Sequence, residues 1–81
     1  MTQLTLYGKP GCHLCEEARA VVLEVRERRP FELEEVDITL DPVLEARYRE
    51  RIPVIAIGGQ ETLELVIEAA ELEECLASMA P

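Results

Sequence analysis

Two cysteines separated by two residues, Cys12 and Cys15, are the side chains of this sequence best suited to chemistry. Thiol–disulfide exchange needs a thiolate that attacks a disulfide and, for a fast second step, another thiol close enough to displace the product. Residues three apart on a helix have β-carbons roughly 5–6 Å apart, which is compatible with the geometry of a disulfide. The spacing therefore predicts that Cys12 and Cys15 form a reversible internal bridge.

The local sequence predicts that this pair lies at the start of a helix. A short β-rich run at residues 4–7 is followed by a loop of glycine, lysine and proline at residues 8–11. From Cys12 onward, apolar residues recur every three or four positions until Pro30, which is typical of an amphipathic helix and its stop signal. The first cysteine is thus predicted to lie where the loop becomes the helix.

That position favours Cys12 as the attacking thiol. Unpaired backbone N–H groups and the positive end of the helix dipole stabilise a thiolate at a helix N-terminus. Lys9 and His13 add positive charge nearby, while Glu16 and Glu17 oppose it. We predict that Cys12 attacks and that Cys15, one turn further along, resolves the intermediate.

The rest of the chain predicts an α/β domain. A second strand is expected at residues 31–38, with a break in its alternation at Glu34-Glu35 that suggests a β-bulge or an early start. Asp41-Pro42 is typical of a helix start, and that helix should continue to Tyr48. Tyr48 itself is expected to be a core or half-buried residue.

Two further strands and a closing helix complete the prediction. The strands are expected at residues 52–57 and 62–65, joined by a Gly58-Gly59 turn. The closing helix has an apolar face made of Ala69, Leu72, Cys75, Leu76 and Met79. The order βαβαββα predicts one domain over residues 1–81, with a four-stranded mixed sheet flanked by three helices.

Charge and composition restrict the partners. Seventeen acidic and eight basic residues give a net charge of −9, which disfavours nucleic acid and anionic membranes. The N-terminus has no signal-peptide pattern, and no stretch is long and apolar enough for a membrane span. Because two close cysteines in such a chain fit a reducing compartment, we expect a cytoplasmic protein, and we expect a monomer.

The same spacing between cysteines also occurs in zinc and iron–sulfur sites, so a metal or cluster-binding module is the alternative. A closed zinc site needs about four ligands. Here His13 lies within the pair, and Cys75 is distant and shares the apolar face of the last helix, where it is expected to pack in the core. This alternative would need ligands from elsewhere, such as a second chain, and no metal site is predicted.

Two segments carry a resemblance to a known family. Residues 7–15 (YGKPGCHLC) and residues 51–54 (RIPV) resemble the glutaredoxin branch of the thioredoxin superfamily, and the chain is most similar to short bacterial glutaredoxin-like proteins. The resemblance implies a thioredoxin-like fold and a thiol–disulfide oxidoreductase. It also implies a cis bond before Pro53, which faces the dithiol, and an Ile52 whose backbone amide and carbonyl are available to a substrate peptide.

The resemblance further implies the substrate-binding residues and the partners. Lys9 matches the basic residue that glutaredoxins direct toward the glutathione carboxylate. The candidate substrate-binding residues are Tyr7, Lys9, His13, Arg51, Ile52 and Pro53. The implied partners are a disulfide-containing protein or a low-molecular-weight thiol, together with a thiol reductant system, and no bound cofactor is required.

One segment departs from the family pattern. Glutaredoxins usually carry a second Gly-Gly after the hairpin and an acidic or hydroxyl residue at the start of the last helix, which hold the γ-glutamyl end of glutathione. Here residues 65–68 read LVIE, and only Glu68 matches that acidic partner. Glutathione is therefore a candidate reductant, but this segment weighs against it as the dedicated partner.

Overall fold

The computed structural model describes residues 2–79 and confirms the predicted α/β architecture. Its four strands and three helices follow one another in the predicted order. They are β1 (Gln3–Gly8), α1 (His13–Arg28), β2 (Glu32–Asp37), α2 (Pro42–Tyr48), β3 (Val54–Ile57), β4 (Gln60–Glu64) and α3 (Ala69–Met79). A short 3-10 turn, Ile38–Leu40, connects β2 to α2.

The strands form one mixed sheet in the order β2-β1-β3-β4. β1 is parallel to β2, which it reaches through α1, and antiparallel to β3. β3 and β4 form an antiparallel hairpin, whose turn uses Gly58 and Gly59 at φ values of 59° and 86°. Glycine adopts such positive values without steric cost, which is why this dipeptide predicted the turn correctly.

The predicted irregularity at Glu34-Glu35 is wrong. The β1–β2 register is continuous from Gln3↔Glu32 to Gly8↔Asp37. Both glutamates are exposed, because β2 is an edge strand and does not need to bury one complete face.

The bulge lies instead in the hairpin. Ile55 pairs with Leu63 and Ala56 pairs with Glu61, so Thr62 is the extra residue. The Thr62 hydroxyl donates to the Ile55 carbonyl at 3.2 Å.

The two faces of the sheet carry separate apolar clusters. The larger cluster joins α1 and α3 to the sheet and includes Leu4, Val22, Ile55 and Leu72. Cys75 packs against this cluster, as predicted. Met79 ends α3, and its side chain lies outside the described part of the chain, as do residues 1, 80 and 81.

The smaller cluster lies beside α2 and leads to the dithiol. It contains Cys15, Ile38, Tyr48, Ile52 and Val54. Tyr48 is 4% exposed, so it is a core residue, as expected. None of the helices in residues 2–79 is long and apolar enough to cross a membrane.

Candidate redox site

Cys12 is the N-cap residue of α1. Its φ and ψ of −91° and 112° are extended, and its sulfur accepts a hydrogen bond from the Cys15 backbone N–H at 3.2 Å. Cys12 is half-buried, so it is more accessible than the buried Cys15. An N-cap sulfur that accepts from a first-turn N–H is placed where negative charge is stabilised. The prediction that Cys12 begins the helix is confirmed.

Cys15 lies one turn deeper and has a different environment. The residue is 8% exposed and belongs to the smaller apolar cluster. Burial, and then the interaction of its sulfur with the Cys12 side chain, raise the pKa of the Cys15 thiol to about 11, although the backbone amide of Lys9 acts in the opposite direction. Both cysteines are free thiols, and Cys15 holds its proton at neutral pH.

Gly8 is a site residue that sequence reasoning missed. A Cβ atom at this position would lie 3.1 Å from the Cys15 sulfur and 3.2 Å from its β-carbon. Gly8 ends β1, so the strand brings the backbone against the second thiol. The only signal in the sequence is a glycine at the end of a strand, which composition alone assigns to the loop.

The Ile52–Pro53 peptide bond is cis, as the resemblance implies. Ile52 and Val54, on either side of the proline, lie in the same cluster as Cys15, and Cys12 packs against that cluster. The proline segment and the dithiol therefore form one site, although residues 15 and 52 are far apart in sequence.

The expectation that both backbone groups of Ile52 are available is wrong. The Ile52 N–H donates to the Tyr48 carbonyl at 3.1 Å, because the turn that follows α2 closes back onto the end of that helix. The Ile52 carbonyl accepts no hydrogen bond from residues 2–79. Only the carbonyl remains for a substrate backbone.

Tyr7 borders the site by stacking on Tyr48. The two ring centroids are 4.6 Å apart, and Tyr7 packs against the smaller apolar cluster. The Tyr48 hydroxyl donates to Glu61 at 2.8 Å. Burial, followed by this hydrogen bond, raises the pKa of Tyr48. The tyrosine pair connects the end of β1 to α2 and to the hairpin.

Arg51 is held by carboxylates of β4. Its guanidinium donates to Glu61 and, at 3.2 Å, to Glu64, and it lies 5.3 Å from the centre of the Tyr48 ring. The Arg51 guanidinium, followed by the Tyr48 hydroxyl, lowers the pKa of Glu61. Arg51 is therefore next to the proline segment, but its guanidinium is already paired with the carboxylates of Glu61 and Glu64.

Lys9 and His13 are exposed to solvent. Lys9 borders a groove of about 280 Å³ that reaches Cys15 between the first turn of α1 and the ends of β1 and β2. The His13 imidazole lies 3.0 Å from the Glu17 carboxylate, one helical turn along, and its side chain is 85% exposed. The structure thus brings Lys9 close to Cys15 and directs His13 toward Glu17.

The segment after the hairpin is attached to the proline. The Leu65 N–H donates to the Pro53 carbonyl at 2.8 Å, and Leu65 has a φ of 68°. Leu65 and Val66 are 43% and 64% exposed. Glu68 is also exposed, and its carbonyl accepts from Leu72 at the start of α3. An apolar pair therefore occupies the place where the family pattern has glycines.

Over residues 2–79, no three side chains of His, Cys, Asp or Glu come together in a group that could hold a metal ion. Cys12 and Cys15 form only a pair within this part of the chain. The alternative of a zinc or iron–sulfur site would need ligands from outside it.

The sequence matches one protein-family model, the glutaredoxin-like domain (DUF836), over residues 3–77. The X-ray structure of target protein XcR50 from X. campestris is 32% identical and has a TM-score of 0.82, covering 96% of this chain and 99% of that chain. The solution structure of protein Ne2328 from Nitrosomonas europaea is 29% identical and has a TM-score of 0.79, covering 91% of this chain and 89% of that chain.

A mutant thioredoxin from Halobacterium salinarum is 19% identical with a TM-score of 0.72, covering 99% of this chain and 78% of that chain. At that identity the likeness shows the fold alone, which is thioredoxin-like. The fold and the adjacent cysteines support a redox role. Because the family model covers nearly the whole chain, this protein belongs to the glutaredoxin-like domain family.

Proposed function

We propose that this protein is a dithiol thiol–disulfide oxidoreductase in which Cys12 attacks and Cys15 resolves. The observation that carries the proposal is the asymmetry between two thiols three residues apart. Cys12 is half-buried and its sulfur accepts a helix N–H at 3.2 Å, whereas Cys15 is 8% exposed and has a pKa of about 11. A more accessible nucleophile beside a protonated second thiol suits a two-step exchange.

In the first step the Cys12 thiolate attacks one sulfur of the substrate disulfide. A Cys12–substrate disulfide forms, the substrate bond breaks, and the other substrate sulfur leaves as a thiolate that takes a proton from water. In the second step Cys15 loses its proton to water in the adjoining groove and attacks the Cys12 sulfur. The mixed disulfide breaks, the second substrate thiol leaves, and the protein's dithiol has given two electrons to the substrate.

An external thiol system must then reduce the internal disulfide. Glutathione is one candidate reductant, although residues 65–68 weigh against it as the dedicated partner, and the scheme needs no bound cofactor. The substrate is a protein disulfide or a small disulfide, which would pair with the free Ile52 carbonyl beside Pro53. Lys9, at the border of the groove, is the candidate cation for a substrate carboxylate.

The proposed setting is a monomer in the cytoplasm. Two close free thiols fit a reducing compartment, where such a pair takes part in thiol–disulfide exchange and does not form a permanent structural disulfide. A net charge of −9 disfavours nucleic acid and anionic membranes as partners.

The test is to assay disulfide reduction in the wild type and in three single variants. Cys12→Ser should abolish turnover of insulin or a glutathione mixed disulfide, and Cys15→Ser should trap a covalent adduct on Cys12 that mass spectrometry detects. Cys75→Ala is the matched control and should retain activity, because Cys75 packs against the core away from the dithiol.

Two results would contradict the proposal. One is turnover by Cys12→Ser at the wild-type rate. The other is stoichiometric zinc or iron in protein purified without oxygen, which would favour the metal-binding alternative.

A further inference from the structure

Leu65 and Val66, which we call the apolar pair, are exposed beside the proline segment. The Leu65 N–H donates to the Pro53 carbonyl at 2.8 Å, so the pair is fixed to that segment. The residue before the proline, Ile52, has the carbonyl that is free for a substrate backbone. Side chains of a segment paired with that carbonyl are therefore close enough to reach the apolar pair.

Leu65 is exposed at a conformational cost. Its φ of 68° lies in the left-handed region, and it is the only residue other than glycine within residues 2–79 that has a positive φ. This region is unfavourable for leucine because its Cβ crowds the following carbonyl, a contact that glycine lacks. Burial in the core does not offset the cost, since the side chain is exposed. Strain in an exposed apolar residue beside a free carbonyl points to a binding role.

The other exposed large apolar side chains of the described residues divide into two places. Leu14 lies between the two cysteines in the first turn of α1, so an apolar side chain is also exposed at the dithiol. Leu40 and Val43 follow β2, which is at the opposite edge of the sheet from β4. Three strand spacings separate the ends of β2 and β4, or about 14 Å. Leu40 and Val43 are therefore outside the surface next to the proline.

The charge around the apolar pair is negative. Residues 52–81 contain several glutamates but no lysine, arginine or histidine. Arg51, the last cation before this stretch, is paired with two carboxylates of β4. Glu68 is exposed and forms no ion pair within the described part of the chain. Lys9 borders the groove on the β2 side of the dithiol. The proline side thus complements a cationic segment and opposes an anionic one.

We propose that the substrate is a protein disulfide with apolar residues beside its cysteine and basic residues beyond them, and that the apolar pair selects it. The inference rests on the proposed dithiol function and narrows its substrate to one class. The exchange itself is unchanged: two electrons and two protons pass from the dithiol to the substrate disulfide, which leaves as two thiols. A second copy of this chain fits the surface poorly, because each copy has a net charge of −9.

The test uses symmetric disulfides of short synthetic peptides with one central cysteine. The first peptide has leucine on both sides of the cysteine and lysine at both ends. The second has serine in place of leucine, and the third has glutamate in place of lysine. Reduced wild-type protein is mixed with each disulfide, and acid quenching with chromatography gives the second-order rate constant of a single turnover. Each rate constant is divided by that of the same disulfide with dithiothreitol, which removes differences in intrinsic reactivity.

We expect the leucine–lysine peptide to react about tenfold faster than the serine–lysine peptide, the effect of burying about two methyl groups. The leucine–glutamate peptide and glutathione disulfide should react about tenfold more slowly than the leucine–lysine peptide, because both are anionic. Salt should reduce the difference between the lysine and glutamate peptides, since it screens exposed charges.

Two variants remove one side chain each from the apolar pair. Val66→Ser and Leu65→Gly should lower the preference for leucine over serine to about threefold or less. Their rates with the serine–lysine peptide should stay within about twofold of wild type, which a general loss of structure would not allow. Leu65→Gly also relieves the left-handed φ, so it decides the question if Val66→Ser does not fold.

Val43→Ser is the matched control. Val43 and Val66 are 73% and 64% exposed, but Val43 follows β2. The control should keep the wild-type preference for leucine.

Three results would overturn the inference and leave the dithiol function standing. They are equal relative rates for the leucine and serine peptides, a faster reaction of glutathione disulfide or the glutamate peptide than of the leucine–lysine peptide, and a loss of preference in Val43→Ser equal to that in Val66→Ser. A dimer that Val66→Ser disrupts would also overturn it, by assigning the apolar pair to a second copy. If the wild-type protein reduces none of the disulfides, the proposed dithiol function itself fails.

Discussion

The reduced protein should lose stability between about pH 9 and pH 11, because the Cys15 thiol is harder to ionise in the folded chain than in the unfolded chain. Burial, and then the interaction of its sulfur with the Cys12 side chain, raise the pKa of Cys15 from an ordinary 9.0 to about 11. Between these values the folded state keeps a proton that the unfolded state has lost. The free energy of unfolding therefore falls as pH rises, starting near pH 9 and levelling near pH 11.

The size of this loss follows from the two pKa values. At pH 10 about nine-tenths of the unfolded thiol and about one-tenth of the folded thiol are ionised, which corresponds to about 1.4 kcal/mol for a fully shielded group. Cys15 also borders the solvent-filled groove, and water there screens part of the effect. We expect a loss of about 1 kcal/mol.

Urea unfolding at pH 7.5 and pH 10, with a phosphine reductant present, measures the effect in the wild type and in Cys15→Ser. For each protein the free energy of unfolding at pH 10 is subtracted from its own value at pH 7.5, so the pH-independent cost of the substitution cancels. The raised pKa of Tyr48 contributes a loss at high pH in both proteins and cancels between them. If Cys15→Ser loses as much stability at pH 10 as the wild type does, the assignment of a protonated, buried Cys15 is refuted.

Two further substitutions test the contacts around the site. Leu65→Gly should destabilise the protein less than the neighbouring control Val66→Gly by about 1–2 kcal/mol in urea unfolding, because a leucine at a φ of 68° pays a left-handed penalty that glycine does not; equal losses would contradict this. Tyr48→Phe should cost about 1 kcal/mol at neutral pH, because it removes the 2.8 Å hydrogen bond to Glu61 but keeps the ring stacked on Tyr7, and an unchanged urea midpoint would show that this bond adds nothing.

Features with a local cause could be predicted from the sequence. The Asp41-Pro42 pair predicted the start of α2, and the Asp41 carboxylate does accept the Val43 N–H at 2.9 Å. Cys12 was predicted at the helix start from the loop before it and the periodicity after it. Each of these signals lies within a few residues, where capping and turn chemistry operate.

Features that depend on a distant partner could not be predicted. The bulge at Thr62 exists because β4 must fit the register of β3, and nothing near Thr62 indicates that register. The break at Glu34-Glu35 was misleading because the edge position of β2 was unknown. The contact of Gly8 with Cys15 is likewise a tertiary contact, so a glycine that looks like loop composition is part of the site.

Residues 65–66 form a backbone turn without the glycines that glutaredoxins usually have in this segment. Leu65 adopts the left-handed region, and its N–H is held by the Pro53 carbonyl at 2.8 Å. The turn therefore presents two exposed apolar side chains beside the proline, where a bare glycine backbone would present N–H groups to an anionic γ-glutamyl end. Arg51, the cation next to the proline, is already paired with Glu61 and Glu64. From these two observations we propose that glutathione is not the dedicated partner, for reasons of local charge and shape.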